Sequence, residues 1–245
     1  MSPFPGIPEA ALDALDEPNP FDVGALRQAV GALADPPDGP MGALLEYGRL
    51  LLAANTVVNL TGAKDWQELI EAHLLDCVLA AAFVPDDARV IADWGSGAGL
   101  PGLVWAILFP EKRFLLLERT GKKADFLQEA AFRLQLFQVD VLQGQGEEAL
   151  KAAGERPDLI VARAVEPLDR LLPRLRRNRV HHSSLFVMAG PQWEAQWAAL
   201  DADGKEPWAL AARHRYPLGS RGDRWLLVLH PRGAAPAGGR PGDEG

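Results

Sequence analysis

The sequence predicts an α/β protein with a mostly parallel, seven-stranded sheet, a C-terminal antiparallel hairpin and an N-terminal helical extension. Three observations carry this expectation. From residue 89 onward, short apolar runs alternate with helical stretches, a pattern that implies a parallel sheet covered on both faces. A glycine-rich segment, Asp93-Trp94-Gly95-Ser96-Gly97-Ala98-Gly99-Leu100-Pro101-Gly102, joins the first run to the first helix of that series. The last two runs have only Pro217 to Asp223 between them, with Gly219 and Gly222. That link holds no helical crossover, so the two runs pair as a hairpin.

Residues 1–40 are rich in Pro, Gly, Asp and Ala. Short helices fit 9–16 and 21–34, broken by Pro18, Pro20, Pro36, Pro37 and Pro40, and the segment reads as an acidic extension rather than a domain. Residues 41–84 form N-terminal helices. One fits 41–54, where Leu44, Leu45, Leu51 and Leu52 recur at helical spacing. The other fits 66–82, with Leu69, Ile70, His73, Leu74, Cys77 and Ala81 on one face. Asn59-Leu60-Thr61-Gly62 between them is turn chemistry. Residues 85–230 form the sheet-bearing domain. Its strands are expected at 89–93, 113–117, 138–142, 158–162, 184–189, 207–215 and 225–230, and its helices at 101–109, 121–135, 146–153, 166–176 and 191–201. Residues 231–245 are Gly/Ala/Pro-rich and are expected to be a disordered tail.

The 245 residues carry a formal net charge of −8, unevenly spread. Residues 1–40 hold seven acids and one base, Arg27, whereas residues 151–245 hold fifteen bases and eleven acids. Without the first forty residues the chain is nearly neutral, so the total does not exclude a phosphate-bearing partner. Arg170, Arg174, Arg176, Arg177 and Arg179 crowd one stretch, which is either a solvated helix face or a local basic patch. No apolar run reaches membrane-spanning length, and the N-terminus lacks a basic-then-apolar leader pattern. The single cysteine, Cys77, has no internal disulfide partner, which fits a reducing cytoplasm. His181-His182 has no Cys or acid at metal spacing, so no metal is expected.

The glycine loop narrows the ligand. Counted from Gly95, a dinucleotide fingerprint needs a sixth-position glycine, but Leu100 stands there. An acid, Asp93, ends the strand, which disfavours a phosphate and suits a cationic or zwitterionic ligand. S-adenosylmethionine, with its sulfonium, ammonium and carboxylate, fits backbone donors beside a carboxylate. Glu118 ends the next strand, where it can accept both ribose hydroxyls. Gly144-Gln145-Gly146-Glu147 follows the third strand, where a turn can lie beside adenine.

Several motifs occur in order: Asn59-Leu60-Thr61, His73-Leu74-Leu75-Asp76, the glycine loop with Leu100-Pro101-Gly102, Gly121-Lys122-Lys123 followed by Phe126-Leu127, and Ala162-Arg163-Ala164-Val165. Over about residues 43–190 the chain resembles the RsmG (GidB) family, bacterial methyltransferases of small-subunit 16S rRNA. The resemblance implies a class I S-adenosylmethionine-dependent methyltransferase fold, Rossmann-like with seven strands, and methylation of N7 of guanine 527 in the 530 loop. It implies cofactor contacts from Gly95, Leu100, Glu118, Arg119, Thr120, Gly146, Glu147 and Arg163, with Asp93, Gly97 and Gly99 in the same loop. Alternatively, Arg163 makes a strand-end salt bridge. Arg163, Lys122 and Lys123, with Arg119 beside them, are candidates to hold guanine O6 or phosphate, because N7 itself must stay free to react. N7 carries no proton at neutral pH, so no general base is expected and the task is alignment. Asn59, His73 and Asp76 either touch substrate or clamp the helix to the loop; the spacing favours the clamp. The expected partner is 16S rRNA or the 30S subunit, and the expected state is a cytoplasmic monomer.

The chain departs from the family pattern where Gln145 replaces an Arg, Ala189-Gly190 replaces Lys-Gly, and Trp94 replaces a smaller residue. Arg240-Pro241-Gly242 is followed by Asp243 and Glu244 instead of bases. Gln145 and Ala189 keep open a diverged cofactor- or RNA-binding protein without methyl transfer, and the overall charge of −8 would suit a small-molecule methyltransferase.

Overall fold

The computed structural model describes residues 7–178, 180, 182–200 and 207–232. Arg179, His181, Arg240-Pro241-Gly242 and the tail beyond Arg232 lie outside the described residues.

The sheet has seven strands: β1 (Val90–Trp94), β2 (Arg113–Glu118), β3 (Val139–Gln143), β4 (Leu159–Arg163), β5 (Ser184–Ala189), β6 (Trp208–Pro217) and β7 (Asp223–Pro231). Their order is β3-β2-β1-β4-β5-β7-β6. The first five run parallel. β7 lies antiparallel between β5 and β6, so the expected hairpin forms and its second strand, not its first, docks on the parallel sheet. The order reverses between β1 and β4, and open α/β sheets bind ligands at the carboxyl ends of strands beside such a reversal.

The four strands β1 to β4 each end one residue later than their apolar runs suggest. The parallel ladder continues through Trp94↔Leu117, Glu118↔Gln143 and Arg163↔Met188. Polar side chains at those positions do not stop backbone pairing, because the ladder uses main-chain groups alone. As a result Trp94, Glu118 and Arg163 are the last strand residues, held rigidly at one edge.

Alternate strand residues feed two cores, as a sheet buried on both faces requires. Ile91, Phe114, Leu116, Leu159 and Val161 face one side. That side is covered by α3 (Asp38–Asn55), α6 (Gly102–Leu108) and α7 (Gly121–Arg133). Ala92, Leu115, Leu117, Ile160 and Ala162 face the other. There α8 (Gly146–Ala153), α9 (Leu168–Arg177) and α10 (Trp193–Ala199) pack. On α9, Leu168, Leu171, Leu172 and Leu175 are buried, which turns the arginines of that stretch away from the core.

The acidic N-terminal segment packs on the body. Its helices α1 (Glu9–Asp13) and α2 (Pro20–Gly31) are shorter than their sequence windows. Leu26 and Val30 are nevertheless fully buried in the same core as the sheet. Trp66 Nε1 donates to Asp16 O at 2.7 Å, and Arg133 pairs with Glu9. The 66–82 helix is interrupted: α4 (Trp66–Leu69) and α5 (Leu75–Ala81) flank a π-helical segment, Ile70–Leu74, in which Leu75 N bonds Ile70 O. The extra residue changes the angular phase, so His73 stays half-buried while Leu69, Ile70, Leu74 and Cys77 are buried. π segments recur at functional sites, and this one presents His73.

Candidate functional site

The glycine loop leaves β1 with Gly95, Gly97 and Gly99 at φ of 73°, 57° and 94°, the left-handed region that side chains disfavour. This backbone wraps around Asp93. The Asp93 carboxylate is buried and its Oδ2 accepts the Gly102 N–H at 3.0 Å, holding the start of α6. Asp93 therefore lies beneath the loop rather than on the ligand side, which corrects the sequence-based expectation. Gly99 is likewise turned inward, toward Leu103 and Leu127.

Burial raises the Asp93 carboxyl to about 7, against the opposing Gly102 hydrogen bond. A carboxyl raised on folding contributes stability that is complete below its unfolded value near 4 and is lost as pH rises through about 7. Asp93→Asn keeps an acceptor for Gly102 and cannot ionise. Relative to the wild type it is expected to gain up to about 1.4 kcal/mol per pH unit between pH 4 and 7, read by urea unfolding at a series of pH values. A pH-independent difference would mean that Asp93 titrates normally.

Glu118 takes the ligand-facing place. Its Oε2 accepts Gly97 N–H at 2.9 Å and its Oε1 accepts Thr120 N–H at 2.7 Å. One lone pair per oxygen remains, and Glu118 lines a cavity of about 650 Å³, within the range of small-molecule and cofactor sites. The cavity spans the ends of β3, β2, β1 and β4. Of the expected residues, Gly95, Gly97, Leu100, Glu118, Arg119, Thr120, Lys123, Gly146, Arg163 and His73 line it. Lys122 is exposed and is not part of the wall.

At the β3 end, Trp94 packs flat on residue 146, where a Cβ would stand 2.9 Å from the ring, so only glycine fits there. The Arg174 guanidinium sits 5.8 Å from the Trp94 ring centroid. It donates to Gln145 Oε1 at 2.7 Å, Glu147 Oε1 at 3.2 Å and Glu166 Oε1 at 3.2 Å. Glu147 thus spends its carboxylate on Arg174 and Asn178, and does not line the cavity. Arg170 and Arg174 do line it, so part of the arginine-rich stretch belongs to the site. The pairing of Arg174 with Trp94 and Gln145 has no local sequence signal, because it joins positions in three separate elements.

At the β4 end, Asn55 organises the preceding turn. Its Nδ2 donates to Thr61 O and Ala63 O, and its Oδ1 accepts from Leu60 N and Thr61 N. Asn59 is exposed and outside the cavity wall. Its expected role falls to Asn55 for structure and to Leu60, Thr61 and Gly62 for the wall. Arg163 turns toward the helical layer: Nε donates to Asp76 Oδ2 at 3.0 Å, and Nη2 donates to Ala72 O at 3.1 Å and His73 Nδ1 at 2.9 Å. Tyr216 donates its hydroxyl to Asp76 Oδ1 at 2.9 Å. Asp76 is buried and is not part of the cavity wall. Both readings of Arg163 meet here, since it makes the salt bridge and still lines the cavity. Burial and the adjacent Arg163 charge push His73 down to about 4, so the ring is neutral near pH 7.

Ala164 follows at φ of 52°. Strained non-glycine backbone of this kind concentrates at functional sites. It throws Val165 and Glu166 between the first cavity and a neighbouring one of about 520 Å³ at the ends of β4 and β5. Val165, Met188, Trp193, Gln192, Gln196 and Glu166 line this second space. Ala189 and Gly190 also face it, so their small size keeps it open.

The first cavity offers backbone donors, one unpaired edge of a carboxylate, and a guanidinium at the far end, a set suited to a zwitterionic nucleoside derivative. Among the described residues, no cluster of three or more His, Cys, Asp or Glu could hold a metal. No described helix is long and apolar enough to cross a membrane.

The GidB family model, described as rRNA small subunit methyltransferase G, matches residues 41–206. The chain is similar to the protein named ribosomal RNA small subunit methyltransferase G of Stutzerimonas stutzeri, 33% identical over 187 residues, covering 76% of this chain and 84% of that protein. The protein of that name from Ectopseudomonas mendocina is 35% identical over 189 residues, with coverage of 76% and 85%. That from Halorhodospira halophila is 38% identical over 151 residues, with coverage of 62% and 70%. Among solved structures, a protein described as a predicted O-methyltransferase from Agrobacterium tumefaciens shares the fold, with a TM-score of 0.51 at 20% identity over 66% of this chain and 82% of that one.

Proposed function

Since the chain belongs to the rRNA small subunit methyltransferase G (GidB) family, we propose that it transfers a methyl group from S-adenosylmethionine to N7 of guanine 527 in the 530 loop of 16S rRNA. The observation that carries the cofactor reading is Glu118. It ends β2 with both oxygens anchored by Gly97 and Thr120 and one lone pair on each left for a ribose diol. The sheet order supports the rest of this reading, with adenine beside β3 at Gly144–Gly146 and the amino-acid end beside β1 and β4.

When bound, the cofactor supplies an electrophilic methyl group on a positively charged sulfur. The protein's own residues position and exclude water. Guanine N7 brings its lone pair and carries no proton, so none of the residues need abstract one. The second cavity, walled by Val165, Met188 and Trp193, fits an unstacked base beside the first. Such extrusion suits a loop nucleotide better than a duplex one. Ala164, Val165 and Glu166 line both spaces, and alignment across such a shared wall is where a reaction of this kind gains most.

Gln145 need not signal lost activity. Arg174 donates to it from α9 and brings a guanidinium to the wall where the family pattern has an arginine. Arg119, Lys123 and Arg170 supply further charge around the opening, enough for a local RNA contact rather than strong non-specific affinity. This reading places the protein in the cytoplasm, acting as a monomer on 16S rRNA or the 30S particle.

The test is radiolabelled methyl transfer to 16S rRNA and to 30S subunits lacking the modification, followed by nucleoside mapping. Label in N7-methylguanosine of the 530 loop is expected. Borohydride/aniline cleavage at that loop that is unchanged in a deletion strain would overturn the assignment. Transfer to metabolites and not to RNA would favour a small-molecule enzyme.

A further inference from the structure

A chain of hydrogen bonds at the β4 end determines where one proton points. Arg163 Nη2 stands 2.9 Å from His73 Nδ1. A guanidinium has no acceptor, so Nδ1 must accept. The neutral ring then carries its proton on Nε2, which stands 2.9 Å from Thr61 Oγ1. His73 therefore donates to Thr61. Ala63 N–H approaches the same oxygen at 3.4 Å. With its lone pairs engaged, the Thr61 hydroxyl has one role left, that of donor. Asn55 pins the backbone on both sides, and Thr61 lines the first cavity together with His73 and Arg163.

Arg163 is similarly committed on one side. Nε and Nη2 bond Asp76, Ala72 and His73, and among the described residues no protein group bonds Nη1. Thr61 and Arg163 thus flank the His73 imidazole, and all three residues line the same cavity. The group that such donors recognise is a carboxylate.

We propose that the Thr61 hydroxyl and Arg163 Nη1 hold the carboxylate of the cofactor's amino-acid end, and that His73 is a positioning residue that directs the Thr61 O–H toward it. The inference rests on the cofactor reading above and names residues for one part of that ligand. His73 touches no ligand. It acts by keeping its proton on Nε2, which requires Arg163 at Nδ1.

Calorimetry with two probes tests this. S-adenosylhomocysteine has the carboxylate; 5′-methylthioadenosine keeps adenine, ribose and sulfur but lacks the amino-acid part. Thr61→Val is expected to weaken S-adenosylhomocysteine about tenfold and to leave methylthioadenosine within about twofold, while Thr61→Ser restores both. His73→Phe should show the same ligand-selective loss. Nitrogen-edited NMR of the wild type should show His73 protonated at Nε2 near pH 7. Equal losses for both probes would reduce Thr61 and His73 to loop packing and overturn the proposal. So would unchanged S-adenosylhomocysteine affinity in Thr61→Val, an increase only in KM for the 30S subunit, or an Nδ1-protonated His73. Failure of the wild type to bind S-adenosylhomocysteine at all would overturn the cofactor reading together with this one.

Discussion

Gly97→Asp is expected to leave the fold standing and to abolish measurable binding of S-adenosylhomocysteine. A Cβ at residue 97 would meet nothing closer than Gly95 O at 3.8 Å, so there is room for a side chain. The backbone cost is that of placing a non-glycine residue at φ of 57°, about 1 kcal/mol and smallest for Asp and Asn. The new carboxylate, however, projects from the loop whose N–H is bonded to Glu118 Oε2 at 2.9 Å. It sets two like charges side by side at the point where the proposed cofactor's ribose would sit. Loss of affinity of at least about 100-fold, or about 2.7 kcal/mol, with a thermal midpoint lowered by only a few degrees, is the expected pair of results. Unchanged affinity by calorimetry would place the ligand elsewhere. Collapse of the fold would mean that the loop is a structural element first.

Arg163→Ala is expected to have the largest effect on stability, about 3–5 kcal/mol. It strands the Asp76 carboxylate in a buried position, where its side chain is 7% exposed, with the Tyr216 hydroxyl as its remaining side-chain partner. It also leaves His73 Nδ1 without its donor. Asp76→Ala should cost a comparable amount. The double variant should cost clearly less than the sum, because removing both charges removes the uncompensated one. Urea unfolding of the four proteins measures this coupling, and simple additivity would show that the pair contributes nothing as a pair. The position joins β4 to the π-helical segment and, through Tyr216, to β6. The expected destabilisation therefore crosses three parts of the fold at once.

Much of the architecture is visible in periodicity. The runs around Ile91, Leu115 and Val161 are short, apolar and bounded by turns, and all three became buried parallel strands. The glycine loop and Glu118 were legible for a local reason. Their positions relative to strand ends are set by chain connectivity, and the strands bring those ends to one edge. Three of the expected residues that do not line the cavity share a different property. Asp93, Glu147 and Asn59 lie in the right segments, but the direction of each side chain depends on a partner elsewhere. Asp93 is claimed by Gly102 beneath the loop, and Glu147 by Arg174. Asn59 gives way to Asn55, which has four backbone groups within reach. The π segment was also hidden, because a single-residue change in helical phase leaves the apolar pattern nearly intact.

The sequence by itself determined the layered sheet, the closing hairpin, the loop at the first strand end and the acid at the second, because these depend on local periodicity, turn chemistry and spacing along the chain. Only the tertiary structure decided which polar atoms face the cavity. It buried Asp93, turned Arg163 toward Asp76 and His73, placed Arg174 over Trp94 beside Gln145, and brought Thr61 Oγ1 to 2.9 Å from His73 Nε2. The physical reason is that each of these groups has several possible hydrogen-bond partners and a limited number of donors and acceptors. Which partner it takes is set by residues up to 140 positions away in the chain, as between Asp76 and Tyr216, and those meet only when the layers pack.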